Sequence, residues 1–183
     1  MAWTQRHDPD YKTDAMVNGE ETPDRRTMVD GLVATWVRVV TDPHGFFDEM
    51  PETGGLAEPA LFLAICAAIN AVGHVFRGFG LLGIVGDFVL QIILAAVLAT
   101  LLVLIAQHLF EGKAGFEPTF RVVAYAWAPL VLAWIPVLAG IPLLYSAYII
   151  VRGVERVQRI DTLRAVLTTI IGLAGVAAIA YLA

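Results

Sequence analysis

The chain has 183 residues, 58% of them hydrophobic and 16% charged, and its mean hydropathy is +0.71. Globular domains carry about 25% charged and 45–50% apolar residues, and the charge here is uneven. Residues 1–58 hold 12 of the 17 acids and 5 of the 12 Lys and Arg, a net −7, against +2 over residues 59–183. A soluble single domain, a disordered chain and a nucleic-acid-binding module are excluded, since the last needs clustered Lys and Arg and the sequence pI is about 5.3. The chain reads as an all-α, polytopic membrane protein with a polar N-terminal segment.

Residues 1–27 are polar and acidic, with Asp8, Asp10, Asp14, Glu20, Glu21 and Asp24, and are expected to form a disordered tail. The basic start and immediate apolar run of a secretory signal are missing, so this tail is expected in the cytoplasm. Residues 28–57 follow as an amphipathic helix and a linker. Met28, Val29, Leu32, Val33, Trp36, Val37 and Val40 recur at helical period, with Asp30, Arg38 and Thr41 opposite. The stripe ends at Asp42-Pro43, a helix stop. Too short and too charged to span, it suits a helix lying on the inner leaflet or packed on the cytoplasmic ends of the spans. Phe46, Phe47, Pro51 and Gly54-Gly55 read as a turn-rich link touching the membrane surface.

Residues 58–183 form the transmembrane domain. A crossing needs about 20 mainly apolar residues, and uncharged runs mark the spans: Pro59 to Phe76, then Phe88 to Phe110. Val122 to Val151 is uncharged but is interrupted by Ile135-Pro136 and Gly140-Ile141-Pro142, which break a helix. Spans are therefore expected from about 120 to 135 and 141 to 154, with Arg121 and Arg152 snorkelling to the interface; a re-entrant hairpin is the other reading. Ala165 to Ala183 is the fifth span. With the N-terminus inside, the inner loops carry Lys113, Arg121, Arg152, Arg156, Arg159 and Arg164, and the outer loops only Arg77. The expected location is the cell membrane, multi-pass, with the C-terminus outside.

Motif by motif, little chemistry is specified. Gly78-Phe79-Gly80-Leu81-Leu82-Gly83 spells G-x-G-x-x-G but follows a transmembrane helix and lacks the later acid of a dinucleotide site; it reads as an interhelical turn. Cys66 is the single cysteine, and no metal or cofactor set is apparent. HExxH, GxSxG and paired intramembrane aspartates are missing, so no enzymatic role is expected. The polar candidates are Asn70 and His74, four apart on one helical face, with Arg77 and Asp87 flanking the outer turn and expected to pair at the rim. Interhelical hydrogen bonding competes here with a proton or ligand site. Rows of small residues, such as Ala60, Ala64, Ala67, Ala68 and Ala71, or Gly172, Gly175 and Ala178, allow close helix packing within the bundle or along a homodimer seam. Phe46, Phe47, Arg152, Arg156, Arg159 and Arg164 make a candidate cytoplasmic surface for lipid headgroups or for another membrane or cytoplasmic protein.

Two stretches resemble a known family. Asp42-Pro43-His44-Gly45-Phe46-Phe47-Asp48-Glu49-Met50 with Glu58-Pro59-Ala60-Leu61-Phe62, and Gly115 to Pro129 around Phe120-Arg121-Val122-Val123-Ala124-Tyr125, are similar to segments of prokaryotic Yip1-domain membrane proteins. Ile135-Pro136, Tyr145, Tyr148 and Gly153-Val154-Glu155 continue the likeness, which covers about residues 40–183. Phe120, Arg121, Tyr125, Pro129 and Pro136 are its motif positions. The resemblance implies a five-helix membrane domain with a cytosolic N-terminus. In eukaryotic relatives it implies trafficking roles with small Rab-type GTPases, but their DLxGP signature is missing from this sequence. The expected function is a non-enzymatic scaffold that organises membrane or binds a partner. A small permease, with Asn70, His74 and Asp87 on a polar path, is the alternative.

Overall fold

Residues 25–182 are described by a computed structural model of the chain. Most of the acidic tail expected to be disordered lies outside the described residues. The chain divides between Ala34 and Thr35 into two units, and the packing below is that of the second. All regular structure among the described residues is helical.

Helix α1 spans Arg25–Thr41. Val29, Val33 and Val37 of its apolar stripe are exposed, whereas Val39, outside the predicted stripe, is fully buried. The predicted stop at Asp42-Pro43 holds, but the same dipeptide starts a second helix, α2, at Pro43–Glu49. The Asp42 carboxylate accepts the Gly45 N–H at 2.9 Å, and Pro43 supplies the pre-set φ of a first helical residue. The turn expected at Phe46 and Phe47 is therefore helical.

Helix α3 (Ala57–Gly73) runs into a 3-10 turn at His74–Arg77, closed by Gly78 at φ 84°. That left-handed conformation suits glycine. Of the glycine-rich stretch, residues 78–80 form the interhelical turn, and Leu81-Leu82-Gly83 already belong to α4 (Leu81–Phe110). Helix α4 starts at Leu81 rather than Phe88 because the Asp87 charge is met within the bundle, as described below. Helix α5 (Phe116–Ala126) gives way to a 3-10 segment at Ala128–Leu132. Helices α6 (Gly140–Gln158) and α7 (Thr162–Leu182) complete the chain.

Among the described residues, three helical segments are long and apolar enough to cross a membrane: Ala57–Arg77, Leu81–Phe110 and Thr162–Tyr181. The third and fourth expected spans do not reach that standard. Helix α5 has 11 residues and carries Glu117 and Arg121, and the last turns of α6 hold Arg152, Glu155 and Arg156. The break also falls earlier than the Pro136–Pro142 segment predicts. α-Helical hydrogen bonding ends at Trp127, two residues before Pro129, and a proline ring is incompatible with the preceding turn of an α-helix.

Helix α4 packs on α3, α5 and α7, while α6 packs on α5 and α7. Small residues permit these approaches. Ala95 and Ala99 are fully buried, and a Cβ on Gly153 would stand 2.3 Å from Val122 Cγ1. Ala67, Ala71 and Gly172 of the predicted rows are buried within the chain, whereas Ala178 is exposed. The outward faces are apolar, with Leu81, Leu82, Leu144 and Ile170 exposed, as lipid-facing surfaces should be.

Candidate functional site

One polar cluster forms where α3, α4 and the end of α5 meet. The Trp127 indole N–H donates to Gln91 Oε1 at 3.2 Å. Gln91 Nε2 donates to Asn70 Oδ1 at 3.1 Å and to Asp87 Oδ2 at 2.6 Å, and Asn70 Nδ2 donates to the Leu130 carbonyl at 2.5 Å. His74 Nδ1 stands 3.4 Å from Asp87 Oδ2. Asn70, His74 and Asp87 are thus brought together. Arg77 is not. Asp87 is four residues from Gln91 on one helical face and next to His74, so the expected Arg77–Asp87 pair is replaced by those contacts. Arg77 makes no ion pair among the described residues. Sequence reasoning missed Gln91 and Trp127; only the i,i+4 spacing of Asp87 and Gln91 signalled the first. The arrangement joins three elements by hydrogen bonds, while His74 Nδ1 is buried without a hydrogen-bond partner.

The predicted basic surface lies at the other end of α6, and each of its arginines faces an acid. Arg152 pairs with Glu155 at 3.0 Å, Arg156 with Asp48 at 3.0 Å, Arg159 with Glu52 at 3.3 Å and Arg164 with Asp161 at 3.1 Å. Two of these pairs tie α2 and the following linker to the end of α6. Phe47 is 2% exposed, so it belongs to the interior rather than to a binding surface. Phe46 meets Tyr125 edge-on at 4.9 Å, and Tyr125 also meets Phe62 at 5.2 Å.

The motif residues are structural too. Arg121 is 2% exposed and does not snorkel. Its Nη2 donates to the Gly55 carbonyl at 2.6 Å, and Glu117 Oε1, 3.6 Å from the same nitrogen, accepts the Gly55 N–H at 2.7 Å. One helical turn thereby holds both polar groups of a residue in the linker. A buried guanidinium is tolerated only with such partners. Phe120 and Pro129 are buried, and Pro136 is exposed in the turn before α6. No group of three or more His, Cys, Asp or Glu suited to a metal occurs among the described residues.

Helices of this length and hydropathy, wrapped around a small polar core, define an integral membrane protein. The family model of the Yip1 domain matches residues 37–183; the chain belongs to the Yip1-domain family. No curated protein and no solved structure matches it.

Proposed function

We propose that this protein is a non-enzymatic scaffold of the Yip1 kind, which organises membrane or binds a protein partner through its charged end. The observation that carries the reading is the hydrogen bonding among four residues of the polar cluster. Asn70, Gln91, Asp87 and Trp127 spend their hydrogen bonds on one another and on the Leu130 carbonyl, which is how interhelical links behave, whereas a transport path needs polar groups free to meet a solute. The chain crosses the membrane five times, with its N-terminus and the 159–161 turn in the cytoplasm and its C-terminal end outside. The basic bias of residues 111–121 and 152–164 supports this orientation. The length of α6, 19 residues or about 28 Å, supports a crossing by α5 and α6. The exposed Val29, Val33 and Val37 support reading the apolar stripe of α1 as a surface for the inner leaflet. The partner-binding surface comprises Arg152, Arg156, Arg159 and Arg164, with the half-buried Phe46 at its edge.

A small permease is the second reading, favoured by the ionisable pair His74–Asp87 inside the bundle. Two experiments separate the two. In proteoliposomes, proton or solute flux that requires the purified protein and disappears in His74→Ala or Asp87→Asn would establish the permease. Crosslinked co-purification of a protein partner from native membranes, lost in an Arg156→Ala plus Arg159→Ala variant that still folds, is the scaffold result.

A further inference from the structure

A cavity of about 530 Å³ lies between α4, α6, α7 and the residues Trp127 and Leu130 that follow α5. Leu98, Trp127, Leu130, Ala147, Ile150 and Ala177 are among the side chains that line it. The space exists because Ala147 and Ala177 place methyl groups where larger residues would fill it. Its two polar wall residues are already engaged: the Ser146 hydroxyl donates to the Ala126 carbonyl at 2.6 Å, and Trp127 donates to Gln91. Leu144, at the rim on α6, is 74% exposed, so the cavity opens sideways, toward the surface that faces lipid in a membrane-embedded bundle.

We infer that this cavity is a binding site for one hydrocarbon chain of a membrane phospholipid, which enters sideways from the bilayer. Water does not fill such a space, because an ordered water needs two to four polar partners and this wall offers none free among the described residues. Leaving it empty would strip the lining atoms of dispersion contacts on one side, and helix association in lipid depends on those contacts. Size agrees with the occupant. A cavity of about 150 Å³ lined by Leu, Ile and Phe holds a six-carbon benzene; scaled to 530 Å³, the site takes roughly 20 carbons, the bulk of one long acyl chain. A polar solute finds no hydrogen-bonding group here. The inference rests on membrane embedding alone and not on the scaffold reading.

The test uses the full chain purified in detergent, titrated with dioleoyl phosphatidylcholine and weighed by native mass spectrometry. One retained lipid per protein is expected. Ala177→Phe and, separately, Ala147→Phe should weaken retention at least tenfold while helix content is unchanged and the lipid-free unfolding temperature is equal or higher. Ile170→Phe, on the exposed face of α7, should retain lipid like the parent. Equal retention in the filled variants, no retention by the parent, or a dimer that the filled variants abolish would each overturn the proposal. Should either filled variant fail to fold, Ala180→Phe makes the same measurement at the mouth of the cavity.

Discussion

The side-chain amide of Gln158 meets both backbone polar groups of Ala114. Its Oε1 accepts the Ala114 N–H at 3.0 Å, while Nε2 donates to the Ala114 carbonyl at 3.3 Å and to Thr119 Oγ1 at 3.0 Å. Gln158 is fully buried, so the last residue of α6 holds the α4–α5 loop much as a strand partner would. Gln158→Leu keeps the bulk and orphans the Ala114 N–H, worth about 1–3 kcal/mol when buried without a partner, while the Ala114 carbonyl keeps Gln107 Nε2 at 3.0 Å and the Thr119 hydroxyl keeps the Gly115 carbonyl at 2.9 Å. A clear fall in unfolding temperature in detergent is expected, with no change in helix content. An unchanged transition would show that water replaces the amide.

The contact between Gly153 and Val122 gives a second prediction. Val122 is fully buried and has little room to withdraw from a new Cβ at 2.3 Å. Gly153→Ala should destabilise the bundle by about 1–3 kcal/mol, as overpacking does. Adding Val122→Ala should recover part of that loss, because the two residues share one contact. Additive losses in the double-mutant cycle would rule out the close approach.

Within the polar cluster, Asn70→Ala and His74→Ala should cost only modestly, since interhelical hydrogen bonds in membranes average about 0.6 kcal/mol. The coupling between Gln91→Leu and Trp127→Phe should be of the same size and no more than about 1.7 kcal/mol. A larger coupling, measured by unfolding in mixed micelles, would mean that the cluster is under functional strain.

Topology is open to direct labelling. A cysteine placed at Ala139 in a Cys66→Ala background should react with an impermeant reagent only from outside, as two full crossings by α5 and α6 require. A reporter fused after Ala183 should be active only outside. Cytoplasmic activity of that reporter would overturn the five-crossing arrangement.

Parts of this architecture were legible because long apolar runs bounded by charge have one cheap solution in lipid. Pro59–Phe76 anticipates α3 and its 3-10 extension, and Ala165–Ala183 anticipates α7 to within a turn. Charge misled where it was internally satisfied: Asp87 reads as a helix boundary, yet Gln91 and His74 let α4 continue past it. Arg121 reads as an interfacial side chain, yet Glu117 and Gly55 hold it inside. The α2 helix was hidden because Asp42-Pro43 is a stop for one helix and a start for the next. Gln91, Trp127 and Gln158 left almost no trace, since an uncharged polar residue in an apolar run becomes meaningful only when its partner, far away in sequence, is known.

The ion pairs Arg156–Asp48 and Arg159–Glu52 join positions 108 and 107 residues apart. A ribosome adding about 5–20 residues per second makes the acidic partners roughly 5–20 s before their arginines. Glu49 meets Arg38 at 2.6 Å and Asp48 meets His44 at 3.2 Å as soon as α2 is made, but the pairs of Asp48 and Glu52 with α6 wait until the end of that helix has been synthesised. Closure of this seam is therefore a late event in biogenesis.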